Sequence, residues 1–310
     1  MAAPDQLRRP WLVAVWPGMG NVAITAGYYL MAKLGMQGVA EYGDDDLFDI
    51  DHIEVRGGLL QRARMPRNRF FHWEDPRQRH DLLLFIGEAQ PPVGKYLFCR
   101  KLIEQAESFG VERVFTFAAM ATQMRPEQPS RVFCAATERE TLGRLTDAHL
   151  QVVDDGHIGG LNGVLLGAAA DRGLPGACLL GEIPHVFAQI PYPKGSLAVL
   201  KAFSKIADVE VDLEELTRQA EATDEQLSAL IEKMEAAVRQ QSGEAEEESF
   251  SPEPEEEPKL RPEDEARIEE LFEEARRDQS RAFELKQELD RLQVFQDYED
   301  RFLDLFKNRD

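Results

Sequence analysis

Short, unbroken apolar runs alternate with longer helix-spaced segments through the first two thirds of the chain. The first run is Trp11 to Trp16. A strand covered on both faces reads this way, because neither face meets water. Pro17-Gly18-Met19-Gly20 breaks the run, and Val22 to Leu34 has the spacing of a helix, with Asn21 as its expected N-cap and Gly35 as its stop. Val39 to Tyr42 reads as a second strand, followed by Asp44, Asp45 and Asp46 in a turn. Asp81 to Ile86, Val114 to Ala118, Arg131 to Ala136, His149 to Val153 and Ala177 to Leu180 read as further strands. Residues 94–109, 138–147, 161–172 and 196–207 read as helices between and after them. Strands separated by helices of about ten to fifteen residues imply βαβ units. The expected fold is therefore α/β: a three-layer α/β/α sandwich with a mostly parallel sheet.

Residues 50–74 depart from this rhythm. Ile53 to Arg56 and Leu59 to Met65 flank Gly57-Gly58, a hairpin signal, and Arg69 to Trp73 follows. An antiparallel excursion attached to the main sheet is expected there. From Asp212 the pattern changes again, to one long helical segment reaching Gln240. Residues 243–258 hold eight glutamates and three prolines, too little apolar surface to fold. A last helix is expected from about Pro262 to Lys307. Its apolar stripe (Leu285, Leu289, Leu292, Phe295, Phe302, Leu305) is not a clean heptad, which fits a docking or oligomerising helix. The expected organisation is a core at 1–210, a long helix at 211–240 packing on or extending from it, an acidic linker at 241–262 and an amphipathic helix at 263–310.

Charge sharpens that division. The net charge is −21; residues 211–310 hold 32 acidic and 14 basic side chains (−18), and residues 1–210 hold 25 and 22 (−3). A neutral body with an acidic appendage disfavours nucleic acid and anionic membrane as partners. Cys99, Cys134 and Cys178 lie far apart among apolar residues and read as buried thiols. No basic-then-apolar leader pattern opens the sequence, and no uncharged apolar segment reaches about 18 residues, so a cytoplasmic location is expected.

The densest signal is Gly156 to Gly167, with five glycines in twelve positions, followed by Leu179-Leu180-Gly181-Glu182. Glycine sacrifices packing and adds backbone entropy, so such a run marks close approach or unusual backbone. It lies between an expected strand and an expected helix, where α/β folds place their sites. His157 is the best candidate for a titrating group there. Glu88 and Glu182 each follow a glycine at the end of an apolar strand and are candidates for acid/base work or for accepting loop amides. Gly18, Gly20, Asn21, Gly159, Gly160 and Asn162 are the ligand-binding candidates, since a glycine turn at a helix start can hold an anion. No spacing suggests a metal site, and no nucleophile elbow or complete dinucleotide fingerprint is present, so no cofactor is expected and no catalytic residue is assigned.

Five segments together resemble the proteasome assembly chaperone 2 family, in its archaeal and bacterial branch, over about residues 10–240. They are Pro17 to Gly20, Gly87-Glu88-Ala89-Gln90-Pro91, Gly156 to Gly167, Leu179 to Glu182, and Val211-Asp212-Leu213. The most specific is Gly156, Ile158, Gly160, Leu161, Asn162 and Gly163. The resemblance implies a fold similar to purine nucleoside phosphorylases and self-association into homo-oligomers. For archaeal and eukaryotic relatives it also implies binding of proteasome subunits. Members of the group also carry an ATP-dependent ligase label, but this chain lacks the lysine and carboxylate pattern such chemistry needs. Proteasome-activating relatives end in a hydrophobic-Tyr-any tripeptide; here the sequence reads Asn308-Arg309-Asp310 and Tyr298 is internal, so tail docking is not expected.

Two functions follow as expectations. One is a non-enzymatic, homo-oligomeric, chaperone-like protein that binds proteasome subunits or another protein. The other is a small-molecule enzyme, nucleoside hydrolase- or phosphorylase-like or ligase-like, in which Gly18, Asn21, Glu88, His157, Asn162 and Glu182 share one pocket.

Overall fold

The computed structural model describes residues 7–43, 47–49, 53, 55–61, 64–241, 262–292 and 294–306. The expected acidic linker and the Asp44–Asp46 turn lie outside the described residues. The apolar runs form strands β1 (Trp11–Val15), β2 (Gln37–Glu41), β5 (Asn68–Trp73), β6 (Leu82–Gly87), β7 (Arg113–Thr122), β8 (Val132–Ala136), β9 (Gln151–Val152) and β10 (Gly176–Pro184) of one sheet. A separate two-residue hairpin, β3 (Val55–Arg56) and β4 (Leu59–Leu60), stands apart from it. The sheet order is β2-β5-β6-β1-β7-β10-β8-β9. At its centre β6, β1, β7 and β10 run parallel, with β5 antiparallel to β6 on one side and β8 antiparallel to β10 on the other.

Successive strand residues serve opposite layers, as the pleat requires. Val13 and Val15 point into a core formed with α1 (Val22–Leu34) and α5 (Pro193–Ala207); Leu12, Ala14 and Trp16 point into one formed with α2 (Lys95–Ser108) and α4 (Gly160–Asp171). Helix α3 (Arg139–Asp147) packs at the β8–β9 edge. The three-layer α/β/α sandwich is as expected. All three cysteines are buried. Among the described residues no helix is long and apolar enough to cross a membrane.

Three local expectations are corrected. Arg69 to Trp73 is antiparallel as expected but is not an excursion: β5 lies inside the sheet between β2 and β6, with Phe70 and Phe71 on opposite faces. Asn21 does not cap α1 with its side chain. Residues 19–21 form a helical turn running straight into α1, and Asn21 is left-handed (φ 48°), so the extended cap conformation is absent. The last helix is three helices, α7 (Pro262–Arg277), α8 (Ala282–Arg291) and α9 (Phe295–Leu303). Asp278 accepts the Ser280 N–H at 3.0 Å, a local bond that competes with helix continuation.

The long helix α6 (Glu214–Gln241) packs on α5 and is tied to α1, where Tyr29 donates to the Asp212 carbonyl at 2.8 Å and Lys33 pairs with Glu215 at 2.6 Å. The three C-terminal helices fold back on one another, and α8 and α9 lie on α1.

Candidate functional site

The parallel strands β6, β1, β7 and β10 end on one edge of the sheet, and this edge collects the candidates. The glycine segment reaches it by an unexpected route. Strand β9 pairs parallel with β8, hence against the four central strands, so the segment does not leave the carboxyl end of a parallel strand. It crosses beside the upper ends of β7 and β10 before α4 begins.

Two of its glycines are required by geometry. A Cβ at Gly163 would lie 2.1 Å from the Ile158 carbonyl oxygen, because the loop folds against the first turn of α4. Gly160 has φ +68°, and a Cβ there would also meet the Gln90 amide at 2.7 Å. The segment is thus shaped by backbone contact with its own helix and with the loop after β6.

A cavity of about 420 Å³ opens beneath it. Gly18, His157, Gly159, Gly160 and Asn162 line it together with Gln90 and Ala118, Ala119, Met120 and Ala121 of β7. Gly20 and Asn21 do not. Gly20 is buried, donating to the Ala188 carbonyl at 2.7 Å and accepting from the Tyr192 N–H at 2.9 Å. Asn21 is exposed. The start of α4, which could otherwise receive an anion, is already engaged: Gln90 Oε1 accepts the Leu161 N–H at 3.1 Å. The Asn162 carbonyl accepts from Thr116 Oγ1 at 3.1 Å, while its buried side-chain oxygen has no partner.

The two carboxylates lie elsewhere, and apart. Glu88 accepts the Arg67 N–H at 2.8 Å and pairs with Arg64 at 3.2 Å; Arg69 stands 3.6 Å away. Burial pushes its pKa up, against the pull of these donors. Glu182 is 1 % exposed, between β7 and the start of β8. Arg131 Nε reaches it at 2.7 Å and the Thr122 hydroxyl at 2.7 Å. Burial would raise its pKa, but the Arg131 and Thr122 hydrogen bonds prevail and lower it. A separate open hollow lies over Glu182, lined by Arg131 and Thr122. Glu88, His157 and Glu182 therefore do not share one pocket, and both carboxylates are occupied in holding loops. Among the described residues no cluster of histidine, cysteine and carboxylate side chains is arranged to hold a metal ion.

Sequence reasoning did not single out Gln90 or the arginines. Gln90 lies two residues past Glu88, but its partner is 71 residues away and leaves no local signature.

The model of the PAC2 family matches residues 12–231. The chain belongs to the PAC2 family. The protein MJ1210 of Methanocaldococcus jannaschii is 28% identical over 234 residues, covering 74% of this chain and 86% of its own length. Among solved structures, Pyrococcus furiosus PbaB, described as an archaeal proteasome activator, is 26% identical with a TM-score of 0.62, covering 73% of this chain and 95% of its own. The Mycobacterium tuberculosis proteasome-assembly chaperone homologue Rv2125 shares the fold, at 24% identity and a TM-score of 0.62, over 71% of this chain and 94% of its own. PAC2 members thus share the three-layer core, and the match stops short of α7–α9.

Proposed function

We propose that this PAC2 protein is a non-enzymatic, homo-oligomeric, chaperone-like protein of the cytoplasm that binds other polypeptides, proteasome subunits among them. Its PAC2 membership and its likeness to PbaB support the partner class.

The observation that carries the reading is an exposed apolar rim on the carboxyl edge of the sheet. Met19 follows β1, Val93 follows β6, Val186 and Ile190 follow β10, and the β3–β4 hairpin lifts Leu59 and Leu60 to 71% and 76% exposure. Tyr96 and Leu97 are exposed in the first turn of α2; the other exposed large apolar side chains among the described residues are Ile53, Val55 and Leu230. Apolar side chains gathered on one edge, rather than scattered, mark an interaction surface. They are carried on loops over a rigid sheet, where binding residues concentrate.

The test is capture of purified proteasome subunits from the source cell by the wild-type chain and by a Leu59→Asp, Leu60→Asp variant of equal thermal stability. Capture by the wild type, and its loss in the variant, is the expected result. Equal capture by both chains, or capture by neither, overturns the reading. Sedimentation tests self-association separately, and a mass near the 35.1 kDa monomer at micromolar concentration would exclude it.

A further inference from the structure

The extension α7–α9 grips the core by aromatic anchors and charge together. Phe295 and Phe302, seven residues apart on α9, set their rings against the Tyr28 ring at centroid distances of 5.3 and 5.6 Å, both near edge-on. Between these anchors, Glu299 accepts from the Tyr28 hydroxyl at 2.5 Å. Asp300 accepts from Arg67 at 2.7 Å and from Arg69, and pairs with Arg64 at 3.2 Å. Asp297 accepts from Arg56 at 2.8 Å. Arg69 is 4% exposed, yet its Nε and Nη1 have no hydrogen-bond partner; Glu41 and Glu88 stand 3.8 and 3.6 Å away. Among the described residues, its one side-chain hydrogen bond goes to the extension.

Two features mark this extension as separable from the body it covers. The family match ends at residue 231, and PbaB matches over 95% of its length while spanning only 73% of this chain, so the core fold is complete in a chain without the extension. Residues 243–258, which lie in sequence between α6 and α7, hold eight glutamates and three prolines.

We propose that the surface formed by Tyr28, Arg64, Arg67 and Arg69 is a docking site for an acidic helix bearing two aromatic anchors seven residues apart, filled in cis by α9 and in trans by a partner polypeptide of the same chemistry. Charge complementarity selects that partner: Asp300 of one short helix meets Arg64, Arg67 and Arg69 of the core, and Asp297 meets Arg56. Tyr28, Arg64, Arg67 and Arg69 lie outside the apolar rim; Arg56, on the hairpin that carries Leu59 and Leu60, is the one residue common to both. The tether keeps α9 at an effective concentration on the order of millimolar, so the extension sets the threshold a partner must exceed. It also discriminates, since a neutral or basic helix takes from buried Arg69 its hydrogen bond to Asp300 and leaves it only the looser pairs with Glu41 and Glu88.

The test uses the full chain and a fluorescent peptide of residues 262–310 as probe. A chain carrying Asp300→Arg loosens its own α9 and should bind the probe at least about tenfold more tightly than the wild type, whose site is filled. A probe with Asp300→Arg should bind that chain poorly and regain binding to one carrying Arg67→Asp. Hydrogen exchange on the unmodified chain guards against a misfolded variant: α9 amides should exchange by local opening, ahead of β1 and β6. Equal probe binding by wild type and Asp300→Arg, no binding by either, or α9 exchange only through global unfolding would each overturn the proposal. The apolar-rim reading is decided by the Leu59→Asp, Leu60→Asp pair and stands or falls separately.

Discussion

Tyr28 on α1 and Glu299 on α9, 271 residues apart in sequence, share a hydrogen bond of 2.5 Å inside the contact between core and extension. Burial, with Glu88 nearby, pushes the Glu299 pKa up to about 7, while Arg64 and Arg69 pull the other way. Burial also raises the Tyr28 pKa well above its usual value, so its hydroxyl remains the donor.

A pH dependence of unusual sign follows. A carboxyl whose folded pKa is raised contributes stability that is complete below its unfolded pKa, near 4.5, and is lost as pH rises through about 7. Denaturant midpoints should therefore fall between pH 6 and pH 8, by an amount on the order of 1–2 kcal/mol. Glu299→Gln should flatten that slope. Below about pH 4.5 the trend reverses, since Asp300 and Asp75 are held below the usual carboxylate range by Arg67 and Arg79 and lose their pairing on protonation. A wild-type chain as stable at pH 8 as at pH 6 would refute the assignment.

Lys286 on α8 is 4% exposed, with its ammonium 4.5 Å from the Phe295 ring centre, 5.2 Å from that of Tyr28 and 2.5 Å from an Asp290 oxygen. Lys286→Met keeps the apolar stem and removes the cation over the two rings. The expected loss is about 0.5–2 kcal/mol, read in urea unfolding. Combined with Tyr28→Ala the loss should be less than additive, because the two share one contact.

Two glycines of α4 should answer differently to the same change. Gly163→Ala forces the Ile158 carbonyl away from a contact of 2.1 Å and should cost more than about 2 kcal/mol. At Gly167, exposed within the helix, a Cβ meets nothing within 4 Å. Gly167→Ala should stabilise by about 0.5–1 kcal/mol. Thermal unfolding of both variants distinguishes a required glycine from a tolerated one.

Arg131→Ala leaves Glu182 buried with the Thr122 hydroxyl and one backbone amide. The cost should be about 1–3 kcal/mol at pH 7. Because the pairing lowers the Glu182 pKa, its stabilisation is present above the unfolded value and fades as pH falls. The gap between wild type and variant should narrow toward pH 4 in urea titrations.

The layered fold was legible because buried strands and amphipathic helices carry their periods locally. Trp11 to Val15 and Val22 to Leu34 follow from nearest neighbours alone. Strand direction was not legible: β8 pairs antiparallel with β10, although its segment reads like any other apolar run. Nothing in Phe133 or Cys134 encodes which way its neighbour points. The glycine segment lies by the carboxyl edge of the central strands but follows a strand running the other way, and Gly18, His157, Gly159, Gly160 and Asn162 line one cavity. Glu88 and Glu182 did not join them, because each is captured by arginines whose approach depends on tertiary folding. Arg131 is 51 residues from Glu182 in sequence, and no spacing rule links them.

Gln90 carries a last consequence. Its amide oxygen accepts the Leu161 N–H in the first turn of α4, and its nitrogen stands 3.5 Å from the Pro17 carbonyl. A phosphate arriving at that helix start would have to evict a resident that is neutral, tethered and already bonded at both ends. Gln90 thus ties the loop after β6 to the first turn of α4 and to the turn after β1. One side chain in one loop therefore holds three separate segments of the carboxyl edge in fixed register.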